Sequence, residues 1–164
     1  MTEPEPCVDP EPGPLLHEDR LDYTPTQRSV PLARRRVARL VSEWGQAGVA
    51  GDVALVVSEL MTNALLHGSL RGRLIRVRVS LGHRVLRVEV TDPRGERLPS
   101  PRPAGDVAEQ FGRGLVLVGA LAARWGWGPR TVGKTVYAEW DVPACQTPFP
   151  YADHVDPRKP GGAL

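Results

Sequence analysis

Residues 58–68 read SELMTNALLHG, and three polar side chains recur in them at every fourth position: Glu59, Asn63 and His67. With about 3.6 residues per helical turn, neighbours four apart differ by only about 40° around the axis, so the three share a narrow stripe. That stripe borders the apolar face set by Val56, Leu60 and Ala64. A carboxylate and a carboxamide side by side suit a hard cation such as magnesium, which takes oxygen ligands and is usually held by one or two protein groups plus phosphates. Taken alone the pair also has an ordinary explanation, a solvated Glu59 and a locally hydrogen-bonded Asn63.

Working outward, the helix is predicted over residues 53–66, with Asp52 as its cap and His67-Gly68-Ser69 as its stop. Upstream, VPLARRRVARLVSEW places Val30, Val37, Leu40, Val41 and Trp44 at helical spacing. Ser29 can cap that helix, Pro31 is tolerated in its first turn, and Gly45 and Gly48 end it. Residues 21–24 make a short edge strand before it. Downstream, Ile75, Val77 and Val79 alternate with arginines, and Leu86, Val88 and Val90 alternate with Arg87, Glu89 and Thr91. The connection through Gly82 makes the two an antiparallel hairpin with one wet face. Residues 92–113 are rich in proline and glycine and too long for an ordinary connector, which suits a lid or binding loop. An apolar helix follows over 115–124, opened by Gly114, and a last hairpin pairs 125–128 with 135–140. Helices grouped beside a mainly antiparallel sheet make an α+β fold, a two-layer α/β sandwich.

Three further motifs fall at the joints of this scheme. In VEVTDPRGERLP a strand ends in Asp92, with Gly95 three residues on. A carboxylate there can accept the amino hydrogen of adenine, and Gly95 lets backbone approach the base. An Asp-Pro turn is the plainer explanation. In FGRGLVLVGALA, Gly112 and Gly114 flank Arg113 before a helix, where free backbone amides and the helix dipole would cradle phosphate. Many loop-to-helix joints share that pattern. In TVGKTVYAEW, Gly133 lies in the turn and Thr135 can place its hydroxyl near Asp92, although a plain edge hairpin fits nearly as well.

Together, in this order, the helical E-x-x-x-N, strand-end D-x-x-G, lid, G-x-G and terminal G-K-T resemble the ATPase superfamily of gyrase, heat-shock chaperones, histidine kinases and mismatch-repair proteins. SELMTNALLHG followed by GRGLVLVGALAARWG is most similar to small actinobacterial ATP-binding proteins grouped with anti-sigma-factor serine kinases. The resemblance implies a Bergerat-type ATP-binding fold over residues 29–141. It implies ATP and Mg2+ as ligands, Glu59 as general base or water-orienting residue, and Asn63 as magnesium ligand. It further implies Asp92 as the adenine-reading carboxylate, backed by Thr135 through a water. Gly95, Gly112, Arg113, Gly114 and Leu115 become the lid and phosphate segment. The adenine motif departs from the usual Asp-x-Gly, reading Asp92-Pro93-Arg94-Gly95.

The implied activity is transfer of the ATP γ-phosphoryl to a serine or threonine of an anti-sigma-factor antagonist. A non-catalytic module that captures a sigma factor or another regulator when ATP binds is the alternative. A detached histidine-kinase catalytic domain is a second rival, against which no dimerising helix pair with a phospho-acceptor histidine precedes residue 52 and Glu59 fits the serine-kinase branch better. Direct nucleic-acid binding is not expected: 21 Lys and Arg against 19 Asp and Glu leave a net charge of only +2, despite Arg34, Arg35, Arg36 and Arg39 on one helix. That arginine cluster is a solvated face or a docking surface for an acidic partner. Cys7 and Cys145 make neither a disulfide framework nor a metal site. The start MTEPEPCVDPEP has no signal-peptide layout, and residues 115–123, the longest apolar run, fall well short of a membrane span. These features predict a cytoplasmic protein without membrane contact and leave homodimerisation open. Residues 1–20 read as a disordered, acidic, proline-rich tail, 21–142 as the ATPase domain, and 143–164 as a flexible C-terminal tail.

Overall fold

The computed structural model describes residues 13–68, 72–93, 107–129 and 133–144. Strand β1 (His17–Tyr23) leads into helices α1 (Ser29–Glu43) and α2 (Ala47–Asn63), and α2 runs on into a π-helical turn, Ala64–Gly68. The hairpin of β2 (Ile75–Leu81) and β3 (Val85–Asp92), helix α3 (Val107–Leu121) and the hairpin of β4 (Arg124–Pro129) and β5 (Lys134–Asp141) complete the chain. All neighbouring strands are antiparallel, in the order β1-β2-β3-β5-β4. The helices pack on one face of this sheet, giving the expected two-layer sandwich.

Strand alternation decides which side chains reach the helices. Ile75, Val77 and Val79 of β2, Leu86, Val88 and Val90 of β3, and Ala138 and Trp140 of β5 are all buried. They meet Val37 and Val41 of α1 and Val53, Val56, Val57, Leu60 and Met61 of α2 in one core. The same phase continues to the strand ends. Leu86 faces Trp140, Val88 faces Ala138, Val90 faces Val136, and so Asp92 faces Lys134. An apolar column thus ends in a charged pair.

Several boundaries differ from the sequence expectation. Residues 17–20, assigned to the N-terminal tail, pair with β2 as part of β1. Ser29 does not act as an N-cap; its hydroxyl donates to the Thr24 carbonyl and ties the β1–α1 connection. Helix α2 starts at Ala47, so Asp52 is an exposed interior residue and not a cap. Glycine in a helix interior costs about 1 kcal/mol relative to alanine, and burial of Ala50 and Val53 offsets Gly48 and Gly51. Helix α3 likewise starts at Val107, because Ala108, Glu109 and Gln110 extend it N-terminally past Gly112 and Gly114. With its turn, α2 is also a longer apolar element than residues 115–123: the 20 residues Ala47–Leu66 have mean hydropathy 1.5, enough by length and composition alone to cross a membrane. Ala50, Val53, Val56, Val57, Leu60 and Met61 of this element are buried in the core, whereas Leu55 and Leu66 are exposed.

The opposite face of the sheet is a ladder of ion pairs. Glu18 binds Arg78 (2.7 Å), Arg78 binds Glu89 (2.6 Å), and Glu89 binds Arg87 (3.2 Å). Arg87 continues to Glu139 (2.7 Å), which meets Arg124 (3.0 Å), and Arg124 meets Asp141 (2.7 Å). Asp22 accepts from the Nε and Nη2 of Arg76, at 2.7 and 2.9 Å. The arginine helix is partly absorbed in the same way: Arg36 grips Asp19 of β1 with two hydrogen bonds, and Arg39 lies 3.6 Å from Glu43. Hydrogen bonds from Arg78 and Arg76 hold the Glu18 and Asp22 carboxyls below their ordinary values of 4.5 and 3.8. A depressed carboxyl contributes stability above its unfolded value and loses it as pH falls through its folded value. The melting temperature should therefore hold from neutrality down to about pH 4.5 and fall below it. Because these groups are well exposed, the effect is modest, and 0.5 M salt (roughly a 4 Å screening length) should shrink it. A melting temperature that rises on acidification through this range would contradict the ladder.

Candidate functional site

A cleft opens where the end of α2 and the start of its π-helical turn face the ends of β3, β4 and β5. Its empty space, open solvent included, amounts to about 450 Å³. Leu60, Ala64, Val90, Leu115 and Val136 supply apolar walls, and Trp125 and Trp127 close one side from β4. Asn63, Asp92 and Lys134 are the polar residues of its lining. The last two are nearly excluded from solvent, with side chains 3% and 6% exposed, and the Lys134 Nζ lies 3.7 Å from the Asp92 Oδ2.

The expected site residues fall into four groups. Asn63, Asp92 and Leu115 line the cleft. Glu59 is half-buried beside it, and Gly114 joins it to Asn63: a β-carbon at Gly114 would sit 2.9 Å from the Glu59 Oε2 and 3.6 Å from the Asn63 Nδ2. Gly114 therefore lets α3 approach the polar stripe of α2 closely. Gly112 and Arg113 lie inside α3, where backbone amides bond within the helix, so the cradle of exposed amides expected there is not formed by these residues. Gly95 lies outside the described residues. Thr135 is buried but faces away from the cleft, its hydroxyl 2.7 Å from that of Thr91 on the ladder side. Alternation puts Lys134, not Thr135, beside the Asp92 carboxylate.

Sequence reasoning passed over Lys134 and the two tryptophans. Their signal was available in the phase of the closing hairpin, because Val136, Ala138 and Trp140 face inward and carry Lys134 with them. On β4, Trp125 and Trp127 sit opposite Ala138 and Val136 on that same face. The π-helical turn after Asn63 had no comparable signal. Such turns are rare and cluster at functional sites, and here one shapes the mouth beside Asn63 and ends the regular spacing that placed His67 on the stripe. Gly133 carries a different constraint. Its φ is +97°, and a β-carbon there would overlap the Asp92 carbonyl oxygen, so only glycine lets β5 begin against the end of β3.

A cleft with apolar walls, a buried carboxylate and a half-buried carboxamide has the chemistry for a planar base and a charged tail. A family model of the histidine kinase-like ATPase domain matches residues 23–140, well over half of the chain. The chain belongs to this family. No curated protein matches it. A histidine kinase-like ATPase domain is an ATP-binding domain of regulatory proteins, and the cleft suits that ligand by its own chemistry. Apolar walls and indole rings can cover the faces of a purine, and the buried Asp92 can accept from its amino group. The Asn63 carboxamide adds a polar group to the same lining. Among the described residues no cluster of three His, Cys, Asp or Glu could hold a metal by itself.

Proposed function

We propose that this protein is an ATP-dependent serine/threonine kinase of the anti-sigma-factor type, acting in the cytoplasm on an antagonist protein. The observation that carries the reading is the meeting of Glu59 and Asn63 at Gly114, which sets a carboxylate beside a carboxamide that lines the cleft. Asn63 would hold Mg2+ through its carboxamide oxygen, and Asp92 would accept from the adenine amino group. Bound Mg-ATP supplies the γ-phosphoryl and the charge neutralisation on which phosphoryl transfer chiefly depends. Glu59 would take the proton of a partner's serine or threonine hydroxyl as that oxygen bonds to phosphorus and the bond to the ADP oxygen breaks. ADP leaves with the electron pair of the broken bond.

The second reading is an ATP-dependent module that binds a sigma factor or other regulator without chemistry. It is favoured by the half-buried setting of Glu59 against α3, which orients the carboxylate toward a helix. Two measurements separate these readings. With labelled ATP, magnesium and a candidate antagonist, the kinase transfers label to the antagonist; a protein that labels none of its binders yet holds one more tightly with ATP is the module. Binding itself is tested at Asp92. Asp92→Ala should weaken ATP by roughly ten- to hundredfold in calorimetry, the size of an unpaired buried polar contact of about 1–3 kcal/mol, with circular dichroism unchanged. Equal affinity of wild type and variant would remove Asp92 from the site.

A further inference from the structure

We infer that Lys134 is a base-reading residue, donating from its ammonium group to a ring nitrogen of adenine beside the amino group that Asp92 accepts. The inference rests on the ATP-binding reading of the cleft and goes beyond it. Lys134 and Asp92 are register partners at the ends of β5 and β3, and both turn inward by the phase of their strands. The walls around them are apolar, from Leu60, Val90 and Val136 to the two tryptophans. Placing two charges in such surroundings is expensive, and a buried pair is seldom retained for stability alone. Their 3.7 Å separation is ion-pair distance but exceeds hydrogen-bond length. Both line the cleft and lie close enough to each other to meet one ligand edge together. Adenine offers the matching edge: its amino group is a donor, and the ring nitrogens N1 and N7 flanking it are acceptors. A carboxylate beside an ammonium reads that donor–acceptor pair, whereas a carboxylate alone reads only the donor.

The test uses the full chain and measures dissociation constants by calorimetry for Mg-ATP, 7-deaza-ATP and 1-deaza-ATP. Each analogue replaces one of the two flanking ring nitrogens with C–H. Wild type should bind one of the analogues about tenfold or more weakly than ATP, the size of a lost hydrogen bond from a charged donor. Lys134→Met should bind ATP about as weakly as wild type binds that analogue, and should no longer distinguish the two. Lys134→Arg should recover part of the discrimination. Wild type binding ATP and both analogues within about twofold would overturn the inference, and this arm needs no variant to fold. Lys134→Met binding ATP as well as wild type, or better, would also overturn it, showing that the lysine only neutralises Asp92. Wild type failing to bind ATP at all would sink the ATP-binding reading itself, an outcome separate from either of these.

Discussion

Gly133→Ala should lower the melting temperature by at least about 5–10 °C, since a small domain loses roughly 4–8 °C for each kcal/mol. Two independent costs meet at this residue. A side chain at its φ of +97° costs about 1–3 kcal/mol in backbone conformation. The added β-carbon also runs into the Asp92 carbonyl oxygen, which is backbone and cannot rotate away. Relief requires β5 to move from β3 at its first pairs, Lys134 with Asp92 and Thr135 with Thr91. Asp92 and Lys134 line the cleft, so ATP affinity should fall with stability. Gly128→Ala, on the neighbouring strand β4, is the control, because a β-carbon there meets nothing within 4 Å. A Gly133→Ala variant that melts with wild type would show that the turn takes another path in solution.

The same corner shows why some of the molecule was legible and some was not. The β2–β3 hairpin could be read because Val77, Val79, Val88 and Val90 alternate with charged residues over an uninterrupted run, and such alternation permits one phase only. In the closing strand the run is short, and the G-K-T motif drew attention to the hydroxyl of Thr135. The burial of Ala138 and Trp140 shows the other phase, with Lys134 inward. Helix starts were misplaced for a different reason. Gly48, Gly51, Gly112 and Gly114 look like breakers when local propensity is weighed alone, but Val53 and Val118 are fully buried, and packing outweighs the penalty. The Glu59–Asn63 stripe survived this error because i, i+4 spacing does not depend on where a helix begins. The close approach of Gly114 to that stripe is a tertiary contact between distant segments, which no local pattern encodes.

Glu59→Gln should abolish label transfer to the antagonist, by about a hundredfold or more for loss of a general base, while ATP affinity stays within about threefold of wild type. The carboxamide keeps the shape of the side chain and its place against Gly114, but it cannot accept a proton at neutral pH. Asn63→Ala should show the converse defect. It removes the oxygen proposed for magnesium from the cleft wall, so magnesium-dependent ATP binding is lost first and transfer fails in consequence. Titrating ATP with and without magnesium against both variants, beside the transfer assay, resolves the two roles. Free hydrolysis by wild type should stay slow without a partner, because the acceptor hydroxyl, and not water, completes the site. If Glu59→Gln transfers at the wild-type rate, the carboxylate is no base, and its contact with α3 becomes a packing feature of a binding module. If both variants bind and transfer as wild type does, the stripe is a solvated helix edge, and the metal must be sought elsewhere in the cleft.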